Sequence, residues 1–296
     1  TGVLESGAIH PDLVNRLAEE AAKSANHVLN MCIRALDYLP PVDVTFFEYL
    51  RALITADFDL VSDDRHRYRV AFVEAFRRRG IYPINLDSTT SDIPRTLSAD
   101  TLRWQGLDAS RFPRAMRAEL WKQYLGVIEG LKRYADACLY LDDREALFNA
   151  TREQRRKLHD QLVVAFKAVP AFAVELGLDP AQTFEVHELR CAMRTDSDGR
   201  HIPQIVVALT QSRKVKPDKD SSTPTYIFRG GSTLVVDLSI SEVKYRIVKN
   251  IESESRKERT AAFIRESEAD PLRALFFSHD RREPFAALHS LADDGF

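Results

Sequence analysis

From Pro11 to Leu39 the apolar residues recur at steps of three and four. Val14, Leu17, Ala21, Ala25, Val28, Cys32 and Leu36 form one stripe, and Leu13, Ala18, Leu29 and Ile33 widen it. That period predicts a long amphipathic helix. Pro11 suits its first turn, and Pro40-Pro41 closes it. Thr45 followed by Glu48 is a capping box for a second helix running to about Asp57. A third is expected from the Ser62-Asp63-Asp64 cluster to Arg79, with Gly80 as its stop and Phe72, Val73 and Phe76 as its buried face.

Residues 82–97 abandon this pattern for Ser, Thr, Asp and Pro, the chemistry of a linker. Helical spacing resumes from about Arg111 to Tyr140, through Leu120, Tyr124, Val127, Ile128, Leu131 and Tyr134. Thr151-Arg152-Glu153-Gln154 reads as another capping box, opening a helix through Leu158, Leu162 and Phe166. Pro170 starts a short helix that stops at Gly177. The period then changes to two. Strands are predicted at about 183–194, 202–213, 225–229, 232–239 and 243–249. Asp196-Ser197-Asp198-Gly199 is the turn of a hairpin, and Gly230-Gly231 is a turn or bulge. Leu234, Val236 and Leu238 point one way, with Tyr245, Ile247 and Val243 as a second apolar set. Helices are expected again at about 254–267 and after Pro271. The fold class is therefore α+β. An N-terminal helical lobe (1–83) and a linker (84–98) precede an α+β domain (99–296) of helices, an antiparallel sheet and C-terminal helices.

The 296 residues are 44% hydrophobic and 29% charged, a globular composition, with a net charge of -2. No global field favours nucleic acid. Arginine clusters at Arg65, Arg67 and Arg69, at Arg77-Arg78-Arg79 and around Arg256 are interleaved with acids and read as solvated helix faces. No apolar run reaches membrane-spanning length, so no membrane partner is expected. Cys32, Cys138 and Cys191 form neither a CxxC nor a disulfide framework. With no visible signal peptide, this usage favours a cytoplasmic, reducing compartment. The chain opens Thr1-Gly2-Val3 and reads as a piece of a longer polypeptide.

One stretch invites a metal reading. His187-Glu188-Leu189-Arg190-Cys191 is one residue away from H-E-x-x-H, which makes His187 and Cys191 the candidate metal ligands. Yet the alternation around it predicts a strand, where residues four apart sit about 13 Å from each other. That is too far to share an ion. His201 lies near the hairpin turn, on a different rung. His27 and Cys32 are five apart on the first helix and share no ligand face. No G-x-S-x-G elbow occurs, and Gly230-Gly231-Ser232 precedes a strand rather than a helix, a poor phosphate loop. Asp142-Asp143 and Asp293-Asp294 read as solvated caps.

The stretch "MCIRALDYLPPVDVTFFEYLRALITADFDLVSDDRHRYRVAFVEAFRRRGIYP" resembles the C-terminal helical lobe of thermolysin-like and fungalysin-like zinc metallopeptidases, over residues of about 27–83. The likeness is one of order. A helix ends in a Pro-containing turn, and Thr45-Phe46 opens a helix carrying Arg51-Ala52-Leu53-Ile54 and Ala56-Asp57. After an acidic break, a last helix carries Ala71-Phe72, Glu74-Ala75-Phe76 and Arg79-Gly80-Ile81. The resemblance implies a lobe under one side of an active-site cleft. Such enzymes hold zinc with two His four apart on a helix and a further Glu on the next helix, and an adjoining Glu is the general base. No H-E-x-x-H occurs in this chain. The resemblance therefore implies a zinc site upstream of Thr1 and makes that catalytic segment the first expected partner. It also makes His10 the candidate for the family's transition-state-stabilising His. The expected role is the non-catalytic part of a zinc endopeptidase whose α+β region docks substrate or partner. The alternative is a free-standing module that binds protein or peptide through its sheet edge or the polar loop Lys214–Thr225.

Overall fold

The structure, a computed structural model, describes residue 7 and residues 9–61, 63–81, 99–195, 199–216 and 225–269. The expected linker at 84–98, the centres of the hairpin turn and of the polar loop, and the helix after Pro271 lie outside these residues.

The N-terminal part contains α1 (Pro11–Ala35), a 3-10 turn (Leu36–Tyr38), α2 (Phe46–Leu60), α3 (Tyr68–Arg78) and the short α4 (Ala99–Leu102). The capping box at α2 is complete. The Thr45 hydroxyl accepts from the Glu48 N–H, and the Glu48 carboxylate accepts from the Thr45 N–H at 2.9 Å. α3 begins later than its acidic cluster suggests, because Arg67 takes a left-handed conformation (φ 57°) that stops helix propagating backwards. It ends as expected at Gly80 (φ 72°), where Ile81 N–H bonds back to the Phe76 carbonyl.

Next come α5 (Arg114–Cys138), α6 (Arg144–Ala168) and α7 (Pro170–Glu175). The capping box expected at Thr151 is not a helix start. Asp143 caps α6 two turns earlier by accepting from the N–H groups of Glu145 and Ala146. Thr151 is an interior residue whose hydroxyl meets Tyr134 Oη at 2.7 Å.

The sheet is an antiparallel meander of β1 (Glu185–Thr195), β2 (His201–Val215), β3 (Tyr226–Asp237) and β4 (Glu242–Lys249), in that spatial order. α8 (Glu254–Ala269) follows. The two strands expected at 225–229 and 232–239 are one strand, since Gly230 and Gly231 continue the ladder opposite Gln211 and Thr210. Gly231 has φ 149°, and glycine there lets the backbones of β2 and β3 meet.

Helices cover both faces of the sheet. Leu189, Ile205, Val207, Leu209, Leu234, Val236 and Leu238 face α5, α6 and α7 through Leu131, Leu158, Leu162, Phe166 and Phe172. On the other face Val235, Tyr245 and Ile247 join Met31, Ala35, Tyr38, Leu53 and Trp104 of the N-terminal part. Val243 does not belong with Tyr245 and Ile247. A bulge between Val235 and Val236 turns it to the opposite face. The outer edge of β4 is occupied, because Gln105 O accepts from Arg246 N–H and Leu107 N–H donates to Val243 O.

Candidate functional site

The apolar stripe read from the sequence of α1 is only half used. Met31 and Ala35 are fully buried against α2, and Val28 and Cys32 partly so. Every residue from Pro11 to Lys23 is exposed, including Leu13, Val14 and Leu17. The cause is length. α1 has 25 residues and α2 has 15, so at 1.5 Å per residue they span about 37 Å and 22 Å. His27 meets Asp57 near the end of α2, and Ser24 meets Tyr68 at the start of α3, so neither α2 nor α3 reaches the turns before Ser24. Leu29, Ile33 and Leu36 add a second exposed apolar row along the outer side. Contiguous apolar surface of this kind marks interaction sites.

Buried charges anchor the helices beneath this surface. The Asp57 carboxylate is shared by His27 Nε2 at 2.8 Å and Arg69 Nε at 2.5 Å. Asp59 accepts from Tyr38 Oη at 2.5 Å and Tyr245 Oη at 2.7 Å, and pairs with Lys244 Nζ at 2.8 Å. Burial first, then the Asp59 carboxylate, pushes both tyrosine hydroxyls well above their ordinary pKa, so they stay neutral donors. Glu48 Oε1 takes Lys249 Nζ at 2.6 Å with both side chains buried. Nearer the surface, the exposed Asp43 pairs with the buried Arg256 at 2.6 Å, and Asp37 pairs with Arg190 and Arg194 of β1. Except for Asp57, each of these carboxylates comes from the N-terminal part and its cation from the sheet or from the first turn of α8. They fix the lobe to the sheet.

The His27–Asp57 pair has the form of an imidazole oriented by a buried carboxylate, which general bases use. Among the described residues no hydroxyl or thiol is hydrogen-bonded to His27, and Arg69 already neutralises Asp57. The pair is a structural lock between α1, α2 and α3.

The sequence candidates fall elsewhere. His10 is the N-cap of α1, its exposed Nδ1 accepting from the Asp12 N–H at 3.2 Å. His187 is the extra residue of a β-bulge in β1 and is exposed. Cys191 is half-buried against the α5–α6 side. The segment is extended, as its alternation predicts, and does not bring the two together. His201 stands opposite Thr195, away from both. Among the described residues no group of three or more His, Cys, Asp or Glu is placed to hold a metal, so the zinc implied by the resemblance has no fitting donor set here. No helix among them is long and apolar enough to cross a membrane.

Burial, with the Cys138 thiol beside it, pushes the Cys191 thiol up to about 11. Thiolate is the reactive form, so at pH 8 iodoacetamide should label Cys191 on the order of 100-fold more slowly in the native protein than in urea. A raised folded pKa contributes stability below the unfolded value, near 8.5, and loses it as pH climbs toward 11. Peptide mass spectrometry of timed alkylation checks this, and equal native and denatured rates would contradict it.

No family model, curated protein or solved structure matches this chain.

The buried ion pairs were missed from sequence. Asp57 and Asp59 did carry a signal, since they interrupt the apolar run Leu53-Ile54-Thr55-Ala56 to Leu60 on a helix that must be buried. A charge embedded in such a run demands a partner. Asp57 takes His27 and Arg69, 30 and 12 residues away, and Asp59 takes Tyr245, 186 residues away, and none of these choices has a local signature.

Proposed function

We propose that this chain binds rather than catalyses. It is the non-catalytic part of a zinc metalloendopeptidase, and the exposed face of α1 docks the segment that carries the zinc site. The observation that carries this reading is the α1 surface, an apolar stripe buried at one end and continuing uncovered through Leu17, Val14 and Leu13. Burying each such side chain is worth about 1.5–3 kcal/mol, enough in sum to favour a partner strongly. Two further features support it. The order of residues 27–83 resembles the lobe that flanks such a cleft, and the chain has no H-E-x-x-H of its own.

Other surfaces offer less. The β4 edge is already paired, while β1 is bulged at His187 and its Val186 carbonyl accepts from Arg155 Nε at 2.8 Å. Edges of this kind resist strand addition. The α1 face would equally serve a free-standing interaction module, and the coding sequence separates the two. The sequence encoded before Thr1 is expected to contain H-E-x-x-H with a Glu downstream. The joined polypeptide should digest casein in a zinc-dependent way, and the isolated chain should not. A start codon directly before this sequence, or casein digestion by the isolated chain, would overturn the proposal.

A further inference from the structure

The α5–α6 hairpin contains a cleft of about 320 Å³, lined by residues that include Gly130, Arg133, Tyr134, Gln154, Lys157 and Gln161. Small-molecule sites run from about 300 to 1,000 Å³. The cleft exists because α5 presents a glycine where the helices cross. A Cβ at Gly130 would lie 3.5 Å from Gln154 Nε2 and 3.5 Å from Gln161 Oε1, so two amides look onto the space a side chain would occupy. Gln154 and Gln161 are seven residues apart on α6 and share its face.

Both amides are under-used. Gln154 is only 9% exposed, yet its amide makes no hydrogen bond among the described residues. Gln161 donates a long bond of 3.4 Å to the Gly126 carbonyl, and its Oε1 is buried without a partner. Buried polar groups are as a rule satisfied, and the orphaned Gln161 Oε1, beside a Gln154 amide that bonds to nothing among the described residues, calls for a ligand that completes it. The other polar groups are committed. Tyr134 Oη is bonded to Thr151, and Lys157 is paired with Glu153 at 2.6 Å. Arg133, one turn from Gly130, makes no ion pair or hydrogen bond among the described residues and stands at the rim. The rim thus carries one uncommitted positive charge. A single guanidinium without a helix N-terminus suits a carboxylate better than a polyphosphate.

We propose that this cleft binds a small organic anion with a carboxamide-like head a few carbons from a carboxylate. Gln154 and Gln161 each offer a donor and an acceptor to the head, and Arg133 pairs with the carboxylate. The site is independent of the α1 face and of any peptidase reading.

Calorimetric titration of the full chain with succinamate tests it, with succinate and succinamide as probes lacking the amide in one case and the charge in the other. Succinamate should bind, with both relatives at least tenfold weaker. Arg133→Gln, a change at the exposed rim that leaves the core intact, should bring succinamate down to the level of succinamide. Gln154→Leu, with its fold checked by circular dichroism, should bring it down to the level of succinate. No heat up to 50 mM succinamate, equal affinities for all three probes, or unchanged binding by Arg133→Gln would overturn the proposal.

Discussion

Gly231→Ala should abolish cooperative folding. The residue sits in the middle of β3 with φ 149°, where a side chain is strained whatever the space around it. There is also no space. A Cβ would overlap the Leu209 carbonyl oxygen and come within 3.0 Å of the Thr210 Cα, both on the paired strand. These are backbone atoms of the central strand pair and cannot swing aside as a side-chain tip would. Relief requires separating β2 from β3, which also separates the cores on the two faces of the sheet. Losses above about 4–5 kcal/mol are rare for one substitution, and this one has two of the mechanisms that produce them. Urea denaturation followed by circular dichroism should show no native baseline. Gly126→Ala is the matched control, since its helix surface has nothing within 4 Å and the change should stabilise by about 0.5–1 kcal/mol. A well-folded Gly231→Ala protein would mean that the β2–β3 register is wrong.

Lys249→Ala should be among the most damaging losses of a single charge. Lys249 Nζ lies 2.6 Å from Glu48 Oε1, with side-chain exposures of 9% and 5%. Burial lowers the lysine pKa, and the glutamate opposes that shift. The other Glu48 oxygen is engaged, accepting from the backbone N–H and the hydroxyl of Thr45 at 2.9 Å each. Without the ammonium, a buried carboxylate stays in place to hold the helix cap and lacks a counter-charge. Breaking such a pair costs about 3–5 kcal/mol. In a chain of this size that lowers the melting temperature on the order of 10 °C. Glu48→Gln/Lys249→Met keeps the cap acceptor and removes both charges, so it should recover most of the loss. If the double variant were as unstable as Lys249→Ala, the damage would come from packing rather than from charge.

The two residues of this pair show what a sequence conceals. Glu48 was legible as the reciprocal member of a capping box because that interaction is local, three residues from Thr45. Its second role depends on β4 arriving from the far end of the chain. Helices and strands were legible for the same reason: period, caps and stops act within a few residues. The exceptions are also physical. Thr151 has capping chemistry, but Asp143 captures the free N–H groups first and the helix runs through. Gly230-Gly231 has turn chemistry, but the permissive backbone is spent on close approach to β2 and to Ile251. Val243 obeys strict alternation only until a bulge adds Lys244 to the count. On α1 the stripe was fully legible, but how much of it is covered depends on the length of α2 relative to α1, which no periodicity records. The cleft at Gly130 left no sequence signal, since one glycine and two glutamines on helices are unremarkable until the helices cross.

The docking role proposed for α1 is tested most directly by titrating the zinc-bearing segment that the proposal expects upstream, prepared separately, into the wild-type chain and into Leu17→Glu/Ile33→Glu. Both residues are more than half exposed, so the variant should melt at the wild-type temperature. Two lost apolar contacts of about 1.5 kcal/mol each predict affinity at least roughly 100-fold weaker than wild type. A variant that binds the segment as tightly as the wild type would contradict the account.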